Sequence, residues 1–344
     1  MTRPQMRALV VKSHQGGAAS LDLTTSPVVA LGPGQVRIQV AAAPINPNDL
    51  LALRDAYDVQ KPIGAVAGFE GSGVVVEGRG AMARMLVGRR VAFAASPRSG
   101  SWAELAVADA NRCAPLRAGV SHEQGATMLT NPLTATVLVE QARRERHRAV
   151  VQTAAAGALG KMVARLALEL GLPMIHVVRA EGQAAALRTL GAQHVLDSST
   201  PEFEARLAAL CAKLGATLAL DSVGGPLTGT LLRALQPGGV VRVFGWLSGA
   251  PLSVDPTGLI FHGKRIEGFT MYEWIQRTSM LRQIATVMRA QGRLGGPLST
   301  EVRSRSPLEQ FAAALASYEE AMSGGKILFQ PSPGDAARVT LAAP

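Results

Sequence analysis

Cysteine, aromatic residues and charged residues are all scarce in this chain of 344 residues, and each shortage excludes a class of protein. The two cysteines, Cys113 and Cys211, are too few for a disulfide framework or a cysteine-rich zinc site. Charged residues make up 17%, against roughly 25% in an average soluble protein, while 47% are hydrophobic. This balance excludes a disordered chain and supplies ample core material. The low cysteine content favours a reducing compartment, and we expect a cytoplasmic location.

Long apolar runs are missing as well, because Arg or Lys interrupts every candidate short of the roughly 18 residues that span a bilayer. The apolar run at residues 8–11 is too short for a secretory signal. The net charge of +10 suggests a nucleic-acid partner, yet aromatic residues make up only 4% and are not interleaved with a basic patch, as base stacking requires. We therefore expect neither a membrane nor a nucleic-acid partner; a phosphate-rich small ligand fits the charge equally well.

The hydrophobic pattern changes along the chain and predicts an α/β protein with two domains. The first part shows the short alternating runs of half-buried strands, with Val36, Ile38 and Val40 as the clearest case. From residue 122 onwards strands alternate with helices, an order that predicts a parallel sheet with right-handed crossovers. Residues 122–269 are therefore predicted to form a doubly wound Rossmann domain. Residues 1–121 and 270–344 are predicted to form a β-rich domain.

Several elements of this organisation can be placed from local signals. Asn131-Pro132 marks a helix start, because proline suits the first helical position. Ser306 and Glu309 have the spacing of a helix capping box. Strands are predicted at residues 149–152, 174–178, 195–196, 217–220, 240–244 and 327–329.

The strongest signal for ligand binding is the run from Thr153 to Gly160, T-A-A-A-G-A-L-G, between a predicted strand and a predicted helix. This is the setting of a dinucleotide-binding loop. Gly157 lets the backbone approach a pyrophosphate, Gly160 permits close packing of helix on sheet, and the helix N-terminus offers N–H groups to the anion. Ala155 stands where a strict G-x-G-x-x-G motif has its first glycine. A tight turn without a ligand is therefore the alternative.

The end of the second predicted strand of this domain indicates which dinucleotide is bound. NAD-binding sites usually carry Asp or Glu there, about 20 residues after the glycines, to hold the ribose 2′-hydroxyl. This chain has Arg179 instead, whose guanidinium can hold a 2′-phosphate through two hydrogen bonds. The sequence therefore predicts NADPH as the cofactor.

Taken together, these features resemble the medium-chain dehydrogenase/reductase superfamily, in which a GroES-like β-rich catalytic domain accompanies a Rossmann domain. The resemblance covers nearly the whole chain. Residues 68–75, G-F-E-G-S-G-V-V, match the superfamily's G-x-E-x-x-G-x-V pattern. Its later landmarks are matched by Asp221-Ser222-Val223-Gly224-Gly225, by Gly238-Gly239 and by Ser323-Gly324-Gly325-Lys326-Ile327.

Within the superfamily the chain is similar to the zinc-independent branch of NADPH quinone oxidoreductases and trans-2-enoyl thioester reductases. The zinc members need a Cys in the first third and a His before the Glu of that pattern, where this chain has Asn46 and Phe69. We therefore expect no metal site. Asn46-Pro47-x-Asp49 followed by Tyr57 matches both groups of the zinc-free branch. Three runs favour the enoyl reductases: Asn131–Ala135, His176–Arg179 and Leu259–Phe261.

The resemblance implies hydride transfer from NADPH to a quinone or to an α,β-unsaturated carbonyl compound. Tyr57 is protonated at neutral pH, because the ordinary pKa of tyrosine is near 10, and is expected to donate a proton to the developing enolate. Asn46 and Thr134 are expected beside the nicotinamide. The residues expected to contact the cofactor are Ala155, Gly157, Ala158, Leu159, Gly160, Arg179, Val223, Gly224, Phe244, Gly245 and Lys326.

Alternatives stay open at this level. The alternative role for Tyr57 is structural, as a residue that packs a loop. The alternative function for the whole chain is that of a non-catalytic NADPH- or RNA-binding relative of the same fold. The resemblance also implies a homodimer in which edge strands of two Rossmann sheets pair, with Val240–Phe244 or Ile266–Phe269 as the edge. Whether the physiological substrate is a quinone or an enoyl thioester is left open.

Overall fold

The computed structural model describes residues 5–56 and 59–331, so Tyr57 lies outside the described residues. The strands are β1 (Gln5–Val11), β2 (Leu21–Pro27), β3 (Gln35–Pro44), β4 (Glu70–Gly78), β5 (Arg90–Ala94), β6 (Leu105–Asp109), β7 (Cys113–Pro115), β8 (Ala149–Gln152), β9 (Met174–Val178), β10 (His194–Asp197), β11 (Ala216–Asp221), β12 (Val240–Val243), β13 (Arg265–Gly268), β14 (Val302–Ser306) and β15 (Lys326–Phe329).

The helices connect these strands and are short in the first third of the chain. They are α1 (Pro47–Ala52), α2 (Ala81–Arg84), α3 (His122–Ala126), α4 (Asn131–Arg144), α5 (Ala158–Glu169), α6 (Glu181–Thr189), α7 (Phe203–Leu214), α8 (Pro226–Ala234), α9 (Thr257–His262), α10 (Met271–Arg277), α11 (Met280–Gln291) and α12 (Phe311–Glu320). Over the described residues, no helix has both the length and the apolar character needed to cross a bilayer.

The chain divides into two compact units. The β-rich unit comprises Met1–Thr130 and Ser299–Pro344, and the parallel-sheet unit comprises Asn131–Leu298. The sequence analysis placed these junctions at 121/122 and 269/270. The structure differs because α3 packs on β3, β4 and β5, whereas α11 packs on α4. The segment that holds α3 therefore belongs to the β-rich unit, and the segment that holds α10 and α11 belongs to the parallel-sheet unit.

The β-rich unit is built around β3. In its seven-stranded sheet β14, β15, β3, β4, β5 and β7 are neighbours in that order, and β6 pairs with β3. Val36 and Ile38 of β3 are fully buried while the intervening Arg37 is half-buried, the alternation expected of a strand with one face on the core. Trp102 and Phe329 meet edge to face in this core, with ring centroids 5.1 Å apart. The C-terminal strands therefore complete the sheet that the first strands begin.

The parallel-sheet unit contains six parallel strands in the order β10-β9-β8-β11-β12-β13. This confirms the predicted doubly wound sheet, and β8 and β9 have the predicted bounds. The strand order reverses between β8 and β11, which is where open α/β sheets bind ligands at the carboxyl ends of their strands. β13 forms one edge of the sheet. Because β12 lies between β11 and β13, the alternative in which Val240–Phe244 forms the edge is wrong.

The predicted capping box of Ser306 and Glu309 is also wrong. Ser306 is the last residue of β14 and pairs with Phe329 of β15, which fixes it in a strand. A short 3₁₀ turn begins instead at Leu308, without a capping side chain. The Glu309 carboxylate pairs with the guanidinium of Arg7. The pairing of β14 with β15 has therefore overridden a local helix signal.

Candidate active site

The loop after β8 has the features of a phosphate-binding turn. Ala154 has a φ of 48°, and the N–H of Gly157, the N-cap of α5, donates to the Ala154 carbonyl at 2.9 Å. The N–H groups of Ala158 and Leu159, which begin α5, have no hydrogen-bond acceptor in the described part of the chain. Free N–H groups at the N-terminus of a helix favour an anion. The loop is therefore suited to hold a phosphate group.

Gly160 and two polar side chains hold this loop against the sheet. A Cβ at Gly160 would lie 2.5 Å from the carbonyl oxygen of Ala155, a distance that only glycine avoids. The Nε2 amide of Gln152 donates to the Gly160 carbonyl at 3.1 Å and lies 2.8 Å from Nδ1 of His176. Burial lowers the pKa of His176 to about 4, with a smaller contribution from His194, so its imidazole is neutral and Nδ1 can accept.

Asp221, at the carboxyl end of β11, ties the ends of two adjacent strands together. Its buried carboxylate accepts hydrogen bonds from the Thr153 hydroxyl at 2.9 Å and the Thr228 hydroxyl at 2.7 Å. The same carboxylate accepts the N–H of Val223 at 2.9 Å and of Gly224 at 3.2 Å. The turn after β11 is therefore fixed beside the loop that follows β8.

The next strand brings Phe244 and Gly245 to the same edge of the sheet. Phe244 donates its N–H to the Asp221 carbonyl at 2.9 Å. A Cβ at Gly245 would lie 2.7 Å from the carbonyl oxygen of Ser222, so the two turns approach too closely for a side chain there. The predicted cofactor residues of this unit thus follow the carboxyl ends of four neighbouring strands, β9, β8, β11 and β12.

Arg179 follows the end of β9 and is exposed. Its guanidinium forms no hydrogen bond or ion pair with any residue that the structure describes, and its backbone N–H donates to Gln183 at 3.3 Å. The nearest acid in the sequence, Glu181, is paired with Arg188. An uncommitted guanidinium beside an anion-binding loop can receive a second phosphate group. This is the place that the sequence analysis predicts for the 2′-phosphate.

Thr134 lies in the parallel-sheet unit and Asn46 in the β-rich unit. Thr134 is 8% exposed in α4, which packs on α5 and α11, and its hydroxyl has no partner among residues 5–56 and 59–331. Asn46 precedes α1, and its N–H donates to Oδ2 of Asp49 at 2.8 Å. The positions of both side chains beside the nicotinamide stay predictions, as does the role of Tyr57.

Asp49 joins the start of α1 to the start of β4. Besides the Asn46 N–H, its carboxylate accepts the N–H of Phe69 at 3.1 Å, and Asp49 is 3% exposed. Burial, more than any neighbouring charge, raises the pKa of Asp49 to about 7. The pKa of the Asp49 carboxyl group therefore lies near neutral pH, beside the backbone of Asn46.

The side-chain amide of Asn46 is held between two charged groups. Its Nδ2 donates to Oε1 of Glu70 at 2.8 Å, and its Oδ1 accepts from the ammonium of Lys326. Glu70 also accepts the N–H of Thr130 at 2.9 Å. Lys326 further donates to the Ile45 carbonyl at 3.2 Å. The sequence analysis predicts Lys326 as a cofactor residue, whereas its contacts in the structure are with protein groups of the β-rich unit.

A second buried lysine, Lys61, lies in the same unit. Its ammonium reaches the carbonyl oxygens of Ser96 and Ser99 at 3.3 and 3.4 Å and lies 5.1 Å from the ring centre of Phe69. Burial lowers the pKa of both Lys61 and Lys326 to about 8. Burial also raises the pKa of Glu70. Two acids and two ammonium groups therefore share one interior, where the charged forms are costly unless they are paired.

Family comparisons define the class of the protein. Residues 32–120 match a family described as the alcohol dehydrogenase GroES-like domain, and residues 158–286 match one described as zinc-binding dehydrogenase. Two solved structures, each described as a "putative NADPH:quinone reductase", share the fold. The one from Mesorhizobium loti has a TM-score of 0.89 and 35% identity over 96% of this chain and 100% of its own. The one from Bacillus thuringiensis has a TM-score of 0.85 and 26% identity over 95% and 99%. The protein is thus a GroES-like domain joined to a Rossmann-type domain, as predicted.

Sequence relatives narrow this class to a family. The mitochondrial enoyl-[acyl-carrier-protein] reductase of Xenopus tropicalis is 30% identical over 326 residues, which cover 90% of this chain and 91% of the relative. The enzyme of the same name from Bos taurus is 29% identical over 339 residues, covering 94% and 88%. The chain belongs to the medium-chain dehydrogenase/reductase superfamily, in its branch of quinone oxidoreductases and enoyl reductases. This confirms the resemblance drawn from the sequence.

Proposed function

We propose that the protein is an NADPH-dependent, zinc-free reductase that transfers hydride to a quinone or to an α,β-unsaturated carbonyl compound. The observation that carries this proposal is the edge of the parallel sheet, where the loop 153–160, the turn fixed by Asp221 and the uncommitted Arg179 lie on neighbouring strands. The names of the relatives support the reaction class, since they are enoyl reductases and NADPH:quinone reductases.

The chain's own groups divide the work of binding and proton transfer in this proposal. The N–H groups at the start of α5 hold the pyrophosphate, and Arg179 holds the 2′-phosphate. When bound, NADPH supplies the hydride. A tyrosine of ordinary pKa, near 10, is protonated at neutral pH, and the Tyr57 hydroxyl donates a proton to the oxygen on which negative charge develops. Asn46 and Thr134 orient the nicotinamide.

Zinc does not fit the β-rich unit, although one matching family is described as zinc-binding. Asn46 and Phe69 stand where the zinc members need Cys and His, and the ammonium of Lys326 already lies against the Asn46 oxygen. Among the described residues no group of three or more His, Cys, Asp or Glu side chains could hold a metal ion. We expect elemental analysis of the purified protein to find less than stoichiometric zinc, and a chelator to leave turnover unchanged.

A homodimer through β13 is part of the same proposal. β13 is an edge strand, and α9 beside it exposes large apolar side chains, with Ile260 67% and Phe261 74% exposed. Unpaired edge strands with apolar neighbours favour association with a second copy. Light scattering should give about twice the chain mass of 35.9 kDa, and Phe261→Ser with Ile260→Ser should shift the protein towards the monomer. A monomeric wild-type protein would contradict this part.

The primary test is oxidation of NADPH, followed by its absorbance, with 1,4-benzoquinone and crotonyl-CoA as separate acceptors and NADH as the control. Turnover with NADPH on either acceptor supports the proposal and ranks the two substrate classes. If the protein binds NADPH but reduces neither acceptor, both proposed substrate classes, quinones and α,β-unsaturated carbonyl compounds, are contradicted. The cytoplasmic location and the absence of a nucleic-acid partner stay predictions, to be checked by cell fractionation and by filter binding across a range of salt concentrations.

A further inference from the structure

Asn46 is hydrogen-bonded to ionisable side chains from three separate parts of the β-rich unit. Asp49 holds its backbone N–H from α1, Glu70 holds its Nδ2 from β4, and Lys326 holds its Oδ1 from β15. Each of these charged residues is no more than 3% exposed, and Asn46 itself is 1% exposed. Solvent therefore does little to weaken the bonds that fix this amide.

The two side-chain contacts select one of the two orientations that an asparagine amide can adopt. A carboxylate only accepts hydrogen bonds and an ammonium only donates them. Nδ2 must therefore face Glu70, and Oδ1 must face Lys326. Rotating the amide by half a turn would place Oδ1 against the carboxylate and Nδ2 against the ammonium, which are two repulsive contacts in a buried setting. The charged pair thus acts as an orientation lock.

We propose that Glu70 and Lys326 are positioning residues that lock the Asn46 amide in a single orientation, in which its second Nδ2 hydrogen is left for a ligand. An amide has two N–H hydrogens, and the described contacts use one of them. The lock itself rests on the contacts above, and its catalytic consequence rests on the proposed function. It assigns Lys326 a role through Asn46 in place of direct contact with the cofactor.

Lys326→Met tests the lock, and Lys61→Met is its matched control. Both substitutions remove a buried ammonium that is 2% exposed in the same unit, but only Lys326 touches Asn46. We expect Lys326→Met to lower kcat by about tenfold to a hundredfold, the scale of a misplaced orienting group, with KM for NADPH changed less than about threefold. Lys61→Met should keep kcat within about threefold of the wild type. Equal kcat losses in the two variants would overturn the proposal.

Nuclear magnetic resonance can test whether the Asn46 amide is held in one orientation, without relying on turnover. The chain has only four asparagines, Asn46, Asn48, Asn111 and Asn131, so asparagine-selective ¹⁵N labelling gives few side-chain signals. In the wild type, the Asn46 amide should rotate more slowly than the other three, and adding NADP⁺ should shift its second hydrogen. Rotation as fast as that of the other amides would overturn the lock, whether or not Lys326→Met folds. If the wild type reduces neither acceptor but this amide is slow, the proposed function fails while the lock stands.

Discussion

The buried polar groups around Asn46 and those at the sheet edge with the loop 153–160 are of different kinds. In the β-rich unit, the groups that contact Asn46 are ionisable: the carboxyl groups of Asp49 and Glu70 and the ammonium of Lys326. In the parallel-sheet unit, the edge that carries the loop 153–160 relies on hydroxyls, backbone N–H groups, an amide and a neutral imidazole, with the single carboxylate of Asp221 among them.

This difference follows from what each unit has to hold. A dinucleotide brings its own negative charges. The free N–H groups at the start of α5 and the exposed Arg179 can bind these charges, so buried charged groups are not needed at this sheet edge. The Asn46 amide takes its orientation from unlike neighbours, a carboxylate and an ammonium. The comparison therefore associates the parallel-sheet unit with affinity and the β-rich unit with turnover, a division that variants can test.

The largest effect is expected at Tyr57. Tyr57→Phe removes the proposed proton donor and keeps the ring, so kcat should fall by about 10²–10⁴. The dissociation constant for NADPH, measured by titration of the nucleotide's fluorescence, should stay the same. Turnover equal to that of the wild type would leave Tyr57 with the structural role that the sequence also allows.

Arg179 should show the opposite pattern. Arg179→Ala removes the proposed contact between an exposed guanidinium and the 2′-phosphate, worth about 1.5–3 kcal/mol in total, so NADPH affinity should fall by about tenfold to a hundredfold. NADH affinity and saturated kcat should change little. Arg188→Ala is the matched control, because that guanidinium is already paired with Glu181. If Arg179→Ala binds NADPH and NADH equally less tightly, Arg179 does not recognise the 2′-phosphate.

The smallest expected effect is a difference in how acid affects stability. The pKa of His176 is lowered from 6.5 to about 4, so between those values the unfolded chain binds the proton and stability falls as pH falls. The pKa of Asp49 is raised from 3.8 to about 7, so the folded protein binds the proton first and stability rises as pH falls.

Melting temperatures measured from about pH 7 to about pH 4 should separate these two contributions. The fall of the melting temperature with pH should become shallower in His176→Gln, because the unfolded variant no longer binds the His176 proton. It should become steeper in Asp49→Asn, because the folded variant no longer binds the Asp49 proton. Slopes that change in the same direction in both variants would show that the two units do not differ in this way.

Local and topological signals predicted most of the parallel-sheet unit. The bounds of β8 and β9 are as predicted, because continuous apolar runs between glycine-rich turns define buried parallel strands. Thr153–Gly160 and Arg179 could be placed at one sheet edge since carboxyl ends of parallel strands meet there. The junctions near 122 and 269 could not be predicted, because packing partners assign α3 and α11 to their units.

The charged interior of the β-rich unit could be predicted only in part. Asn46, Asp49 and Glu70 belong to recognisable motifs, but their mutual hydrogen bonds depend on how α1 meets β4. Lys326 is 280 residues from Asn46 in sequence, and nothing in its own neighbourhood indicates which oxygen it will meet. Lys61 belongs to no motif recognised in the sequence, so its burial could not be predicted. Charges assembled from distant segments leave no periodic signal.

The pairing of β15 with β3 has a consequence for how the chain is made. A ribosome releases β3 and Asn46 early, but the strand that carries Lys326 emerges only after the entire parallel-sheet unit. Domains generally fold as units while synthesis proceeds. The inserted unit can thus be complete while Ala43 and Pro44, at the end of β3, still lack their partners on β15, so the unit begun first is finished last. Until then the carboxyl groups of Asp49 and Glu70 lack the ammonium of Lys326, and the end of β3 is open to pairing with a wrong strand.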